Sequence, residues 1–184
     1  MASLLRRIRN QLIGNAREVA PLREPDYRVL FVCMGNICRS PTVEGVFRHL
    51  ATRELTDHFI EVDSAGTHAY HVGEAPDPRA RRAAERRGID LTELRARRIT
   101  VEDFSRFDLV LGMDPLNVVV MQDLCPPELQ SRIRLLLEFA PQLGREDVPD
   151  PYYGGSNGFE YVLDLAEEAS AGLLAHLRTV LRKP

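Results

Sequence analysis

The sequence predicts an α/β fold, a four-stranded parallel sheet with helices on both faces, in a chain of 184 residues. Three observations carry this. Short runs rich in Val, Ile, Leu and Phe alternate with longer stretches of helical periodicity. The run Val29 to Val32 is continuously apolar, as in a strand buried on both faces. The hydrophobic content of 44% supplies one core of this size and leaves too little for two full domains.

Residues 1–26 precede the first strand and read as an N-terminal extension, with the domain proper at 27–184. On a helical projection Leu4, Leu5, Ile8, Leu12 and Val19 share a stripe, Gly14-Asn15 weakens its middle, and Pro21 and Pro25 end it. Packing onto the domain or a second subunit is the first reading of this stripe. Disorder until a partner arrives comes next, and contact with an anionic membrane surface comes last. Arginines at 6, 7 and 9 interrupt any apolar core of signal-peptide length.

From Tyr27 the elements follow in turn. Strands are predicted at 28–33, 59–63, 107–111 and 132–136, each short and rich in β-formers. A helix over 41–54 opens with Pro41 in its first turn and Ser40 placed as N-cap. One over 78–87 has Asp77 as cap, Pro78 at its first position and Gly88 as its stop. Helices at 100–105 and 115–123 follow. The last, 158–181, carries Phe159, Val162, Leu163, Ala166, Leu173, Leu177 and Val180 as a stripe to cover one sheet face.

A net charge of -3 gives no global attraction for nucleic acid, and no run is long enough to cross a bilayer. The three cysteines, Cys33, Cys38 and Cys125, are too few for a secreted disulfide framework, so a reducing cytoplasm is the expected compartment.

The chemistry is expected in "VCMGNICRSP", residues 32–41, where a strand ends, a loop follows and a helix begins. Parallel sheets hold their ligands at the carboxyl ends of strands, and unpaired N–H groups at a helix start favour anions. Five residues separate Cys33 from Arg39, a loop length that curls around a tetrahedral anion. The N–H groups of Met34, Gly35, Asn36, Ile37, Cys38 and Arg39 can donate inward while the Arg39 guanidinium grips two oxygens. The same field favours the Cys33 thiolate, which then faces phosphorus as a nucleophile. Asn36 suits a positive φ, the Ser40 hydroxyl can stabilise the sulfur, and Glu44 is placed to anchor neighbouring loops. A departing oxygen needs a proton, and the turn-rich stretch 146–158 offers Asp150 between two prolines, with Tyr152 and Tyr153 beyond. An ordinary Asp-Pro surface turn is the competing reading there. Cys38 is placed to trap an oxidised Cys33. His68 and His71 stand three apart without a third ligand, so no metal is expected. The arginines from 79 to 98 read as a solvated face, with steering of acidic phosphoproteins as the second reading.

"VLFVCMGNICRSP", "SAGT" at 64–67, "VGEAPDPRA" at 72–80 and "DPYYGG" at 150–155 together resemble the low-molecular-weight protein tyrosine phosphatases, over roughly residues 27–181. The resemblance implies a flavodoxin-like three-layer sandwich and a metal-free, cofactor-free hydrolysis of protein phosphotyrosine. It further implies Cys33 as nucleophile, Asp150 as general acid and then base, and Ile37, Tyr70, Tyr152 and Tyr153 around the substrate ring. Tyrosine-phosphorylated proteins are the implied partners, with a tyrosine kinase as a further candidate. Val43 stands where the family often has alanine, Tyr70 where tryptophan is common, and Arg87 where many members carry a histidine that supports the loop serine. Arsenate reductases of this fold need further cysteines, and protein arginine phosphatases carry threonine where Ile37 stands. A phosphate-binding module without turnover is the alternative from another class.

Overall fold

The structure, a computed structural model, describes residues 23–182. The amphipathic stripe expected in residues 1–22 lies outside them.

Four parallel strands form one sheet: β1 (Tyr27–Cys33), β2 (Ile60–Gly66), β3 (Leu109–Gly112) and β4 (Ile133–Leu135), in the order β2-β1-β3-β4. Among the described residues five α-helices accompany them: α1 (Arg39–Glu54), α2 (Pro78–Arg86), α3 (Val101–Arg106), α4 (Pro115–Leu124) and α5 (Ser156–Leu181). This is the flavodoxin-like three-layer arrangement. Side chains of β1 alternate across the sheet, as the pleat requires. Val29 and Phe31 join the core under α1, α2 and α5, whereas Leu30 and Val32 join a second cluster with Phe104, Phe107 and Met121. Residues of β1 are buried in both clusters, which explains why the strand reads as one apolar run.

The strand order reverses beside β1, between β1 and β3, and a crevice opens there at the carboxyl ends. The loop that leaves β1 sits in this crevice. Gly66, at the end of β2, lets the loop approach, because a Cβ there would stand 2.8 Å from the Met34 carbonyl oxygen.

Most predicted boundaries shift by a residue or two, and three of the shifts have a physical cause. Ser40 is not the N-cap of α1: the helix begins at Arg39 with Cys38 before it and no side-chain cap, because the Ser40 hydroxyl is spent inside the site. The second strand runs on to Gly66, since Ser64, Ala65 and Gly66 pair with Phe31, Val32 and Cys33 although their own strand propensity is low. The third begins at Leu109, as Phe107 N–H still donates back to Asp103 at the end of α3. Among the described residues no helix is long and apolar enough to cross a membrane.

Candidate active site

The loop from Cys33 to Arg39 is shaped from outside. Thr67 N–H donates to Cys33 O at 2.9 Å, His68 N–H to Met34 O at 2.9 Å and Asp77 N–H to Ile37 O at 2.7 Å. With its carbonyls drawn outward, the loop turns N–H groups inward, and Asn36 N–H points at Cys33 Sγ from 3.2 Å. The turn needs a left-handed residue, and Asn36 takes it at φ 57°, the sole non-glycine with positive φ among the described residues.

The Asn36 side chain organises the interior. Its Oδ1 accepts from Arg97 N–H at 2.9 Å, which fixes the amide so that Nδ2 donates to Ser40 Oγ at 2.9 Å and to Ser64 Oγ at 2.8 Å. Each serine therefore has its own proton to give. Ser64 gives it to Glu44 Oε2 at 2.6 Å, and Ser40 has Cys33 Sγ at 3.1 Å with only a long alternative at Ala65 O, 3.4 Å. The Ser40 hydroxyl and the Asn36 N–H thus both lie within hydrogen-bond reach of the sulfur. Glu44 closes the far end of these hydrogen bonds, fully buried and paired with Arg48. Burial pushes the Glu44 carboxyl up to about 7, with Ser64 and Arg48 working against it.

Arg39 is buried, and its guanidinium is aimed by two elements the loop itself does not contain. Nη1 donates to Asp114 Oδ2 at 2.5 Å and to Val148 O at 3.1 Å, and Nη2 donates to Asp150 Oδ2 at 3.3 Å. Asp150 is the most open of these groups, with its side chain 46% exposed, and its Oδ1 accepts from Tyr152 N–H. Cys33 Sγ, the Arg39 fork and the Asp150 carboxylate thus meet in one cleft of about 250 Å³.

The walls of that cleft include Ile37, Tyr70, Tyr152 and Tyr153. Tyr152 and Tyr153 meet edge to face, and Tyr70 stacks on His68. Cys38 lines the cleft as a buried thiol, and burial and the Asp77 carboxylate push its ionisation well above the usual thiol range. Arg87 does not approach Ser40; it pairs with Glu160, Asp164 and Glu167 on α5, and Asn36 orients the serine instead.

Sequence reasoning missed two residues here. Asp114 gave only the signal of an Asp-Pro helix start at a strand end, and it does cap α4 through Asn117 N–H. His71 carries in the sequence only the signal of half a histidine pair. The structure separates that pair: His68 Nδ1 meets Thr67 Oγ1, while His71 lines the cleft beside Gly35 and meets Glu74 through Nδ1 at 2.9 Å. No group of metal-ligating side chains occurs among the described residues.

Residues 28–183 match the family described as "Low molecular weight phosphotyrosine protein phosphatase". The chain is 45% identical over 155 residues to a low molecular weight protein-tyrosine-phosphatase of Streptomyces coelicolor, covering 83% of this chain and 94% of that one. It is 43% identical over 139 residues to the human low molecular weight phosphotyrosine protein phosphatase, covering 73% and 85%. Among solved structures, a protein tyrosine phosphatase of Entamoeba histolytica superposes with TM-score 0.80 at 36% identity, covering 84% of this chain and 98% of that one. Wzb of Vibrio vulnificus, in complex with benzylphosphonate, superposes with TM-score 0.71 at 29% identity over 82% and 98%. The chain belongs to the low molecular weight phosphotyrosine protein phosphatases, a family of phosphomonoester hydrolases.

Proposed function

We propose that the chain hydrolyses phosphotyrosine in proteins through a cysteinyl-phosphate intermediate, with Asp150 as general acid and then base. The observation that carries this is the convergence of Cys33, Arg39 and Asp150 at one cleft, with Asp150 on the open side. A phosphate seated on the inward N–H groups and the Arg39 fork presents phosphorus to Sγ. The S–P bond forms as the P–O bond to the phenol breaks, and the Asp150 proton passes to the departing oxygen. Asp150, now a carboxylate, takes a proton from water as that water attacks phosphorus, and the S–P bond breaks. The sulfur leaves as thiolate toward the Ser40 hydroxyl. Arg39 and the amides supply the positive charge, so the reading requires no metal.

Aryl selectivity follows from depth. Ile37 gives an apolar wall, and Tyr70 and Tyr152 flank the mouth, so a phenyl ring reaches the loop where a phosphoserine side chain stops short. Benzylphosphonate on the Vibrio vulnificus relative, an aromatic ring one carbon from phosphorus, supports this. Tyrosine-phosphorylated proteins are then the partners, and a reducing compartment such as the cytoplasm suits three unpaired thiols.

The test offers phosphotyrosine, phosphoserine and phosphoarginine peptides in EDTA to the wild type and to Cys33→Ser. Expected are turnover of phosphotyrosine alone and loss of turnover in the variant, with phosphate binding retained. Faster phosphoarginine or phosphoserine turnover in the wild type overturns the substrate assignment; an active Cys33→Ser overturns the mechanism.

A further inference from the structure

Arg79 lies outside the cleft, yet its side chain spans two loops whose separation the chemistry depends on. One end belongs to the phosphate loop. Asp77 N–H holds Ile37 O at 2.7 Å, and the Asp77 carboxylate, itself buried, takes the Arg79 fork through Nε at 3.0 Å and Nη2 at 2.8 Å. The other end belongs to the loop of the acid. The Arg79 guanidinium carbon lies 4.7 Å from the ring centroid of Phe159 and 5.5 Å from that of Tyr152. Phe159 is fixed in the core, whereas Tyr152 is partly exposed and donates its N–H to Asp150 Oδ1 at 3.0 Å.

Resting on the assignment of Asp150 as general acid, we propose that Arg79 is a positioning residue: it braces the Asp150 loop against the phosphate loop through Asp77 on one side and Tyr152 on the other. A guanidinium does this where an ammonium does not. Its planar fork meets both carboxylate oxygens while its faces remain free for the rings. Without the brace, Tyr152 loses the surface it rests on, and the Asp150 carboxyl spends less time within reach of the departing oxygen. The N-cap of α2 does not depend on this side chain, because Asp77 Oδ1 accepts the backbone N–H of Arg79 at 2.7 Å. Removal of the guanidinium therefore probes the brace with the helix start intact.

The experiment measures kcat/KM over aryl phosphates whose phenols span a wide range of acidity, for the wild type, Arg79→Leu, Arg79→Lys and Asp150→Asn, with inorganic phosphate as competitive inhibitor. Asp150→Asn is expected to lose about 10²- to 10⁴-fold with the least acidic phenols and far less with the most acidic. Arg79→Leu should follow the same slope with about a tenfold loss at the poor-leaving-group end, less than twofold at the other, and phosphate inhibition within about twofold of wild type. Arg79→Lys, which keeps the charge and the fold, should resemble Arg79→Leu. Adding Arg79→Leu to Asp150→Asn should cost nothing more, because both act at one step. An even loss across all phenols, or wild-type slopes in both Arg79 variants beside a steep Asp150→Asn, overturns the brace alone. A flat Asp150→Asn overturns the acid assignment and the brace with it.

Discussion

Asp114 serves two partners with two oxygens, and that division makes its replacement by asparagine informative. Oδ2 accepts from Arg39 Nη1 at 2.5 Å and Oδ1 accepts from Asn117 N–H at 2.7 Å, capping α4. An amide has one acceptor, so Asp114→Asn must turn an NH2 toward one of two donors. The bond to the buried guanidinium is charge-assisted and stronger, at ~1.5–3 kcal/mol against ~1 for a cap. The amide oxygen should therefore stay with Arg39, and the helix start carries the damage. Asp114→Asn is expected to lose about 1–2 kcal/mol of stability in urea unfolding. Its kcat should fall about fivefold, the consequence of ~1 kcal/mol lost when a charged acceptor becomes neutral. Removal of a carboxylate beside the phosphate site favours anion binding, so KM should hold or fall. Asp114→Ala loses both acceptors, and its kcat should drop by about 10- to 100-fold with a similar loss of stability. Equal kcat in Asp114→Ala and wild type would refute the claim that Asp114 aims Arg39; an unchanged stability in Asp114→Asn would refute the order of preference between its partners.

Two further outcomes follow from buried groups. Peroxide is expected to convert Cys33 to a sulfenic acid, and attack by the Cys38 sulfur should then expel that oxygen as water and leave a disulfide that added thiol reduces. Wild type should recover fully after peroxide and then thiol, Cys38→Ser should recover only in part, and equal recovery would refute protection. Glu44 ionises near 4.5 in the unfolded chain and at about 7 in the fold. Its folded pKa is raised, so its contribution to stability is complete below about pH 4.5 and lost as the pH rises through about 7. Between pH 5 and pH 8 the stability of wild type relative to Glu44→Gln should fall by up to roughly 3 kcal/mol. A constant difference in urea unfolding would show that Arg48 and Ser64 offset burial.

What the sequence made legible is what lies close together along it. Strand β1, the loop and the start of α1 share one stretch, so Cys33, Asn36, Ser40 and Arg39 announce their geometry within a few residues. The extension of β2 through Ser64, Ala65 and Gly66 carries no such signal, because its cause is pairing with β1. Arg87 shows the same limit from the other side. Its position in the family pattern pointed to Ser40, but the acidic face of α5, more than seventy residues on, determines where it goes.

The aspartates show how topology finishes what composition leaves open. Asp-Pro occurs at residues 77–78, 114–115 and 150–151, and in sequence the three dipeptides are interchangeable turn or helix-start signals. A parallel sheet with its crevice beside β1 brings all three to the phosphate loop: Asp77 N–H holds Ile37 O, and Asp114 and Asp150 both reach Arg39. Their burial then divides the work. The Asp77 side chain is 9% exposed and taken by Arg79, and that of Asp114 is 20% exposed and shared between Arg39 and a helix cap. Both hold bonds of 2.5 to 3.0 Å on each oxygen, largely away from solvent. Asp150, 46% exposed and held to Arg39 by a longer 3.3 Å contact, is the most open of the three, and that openness is the reason for proposing it as the acid. The proposed assignment of the acid therefore rests on which carboxylate the fold leaves most open to the cleft and to solvent, a property no Asp-Pro motif encodes.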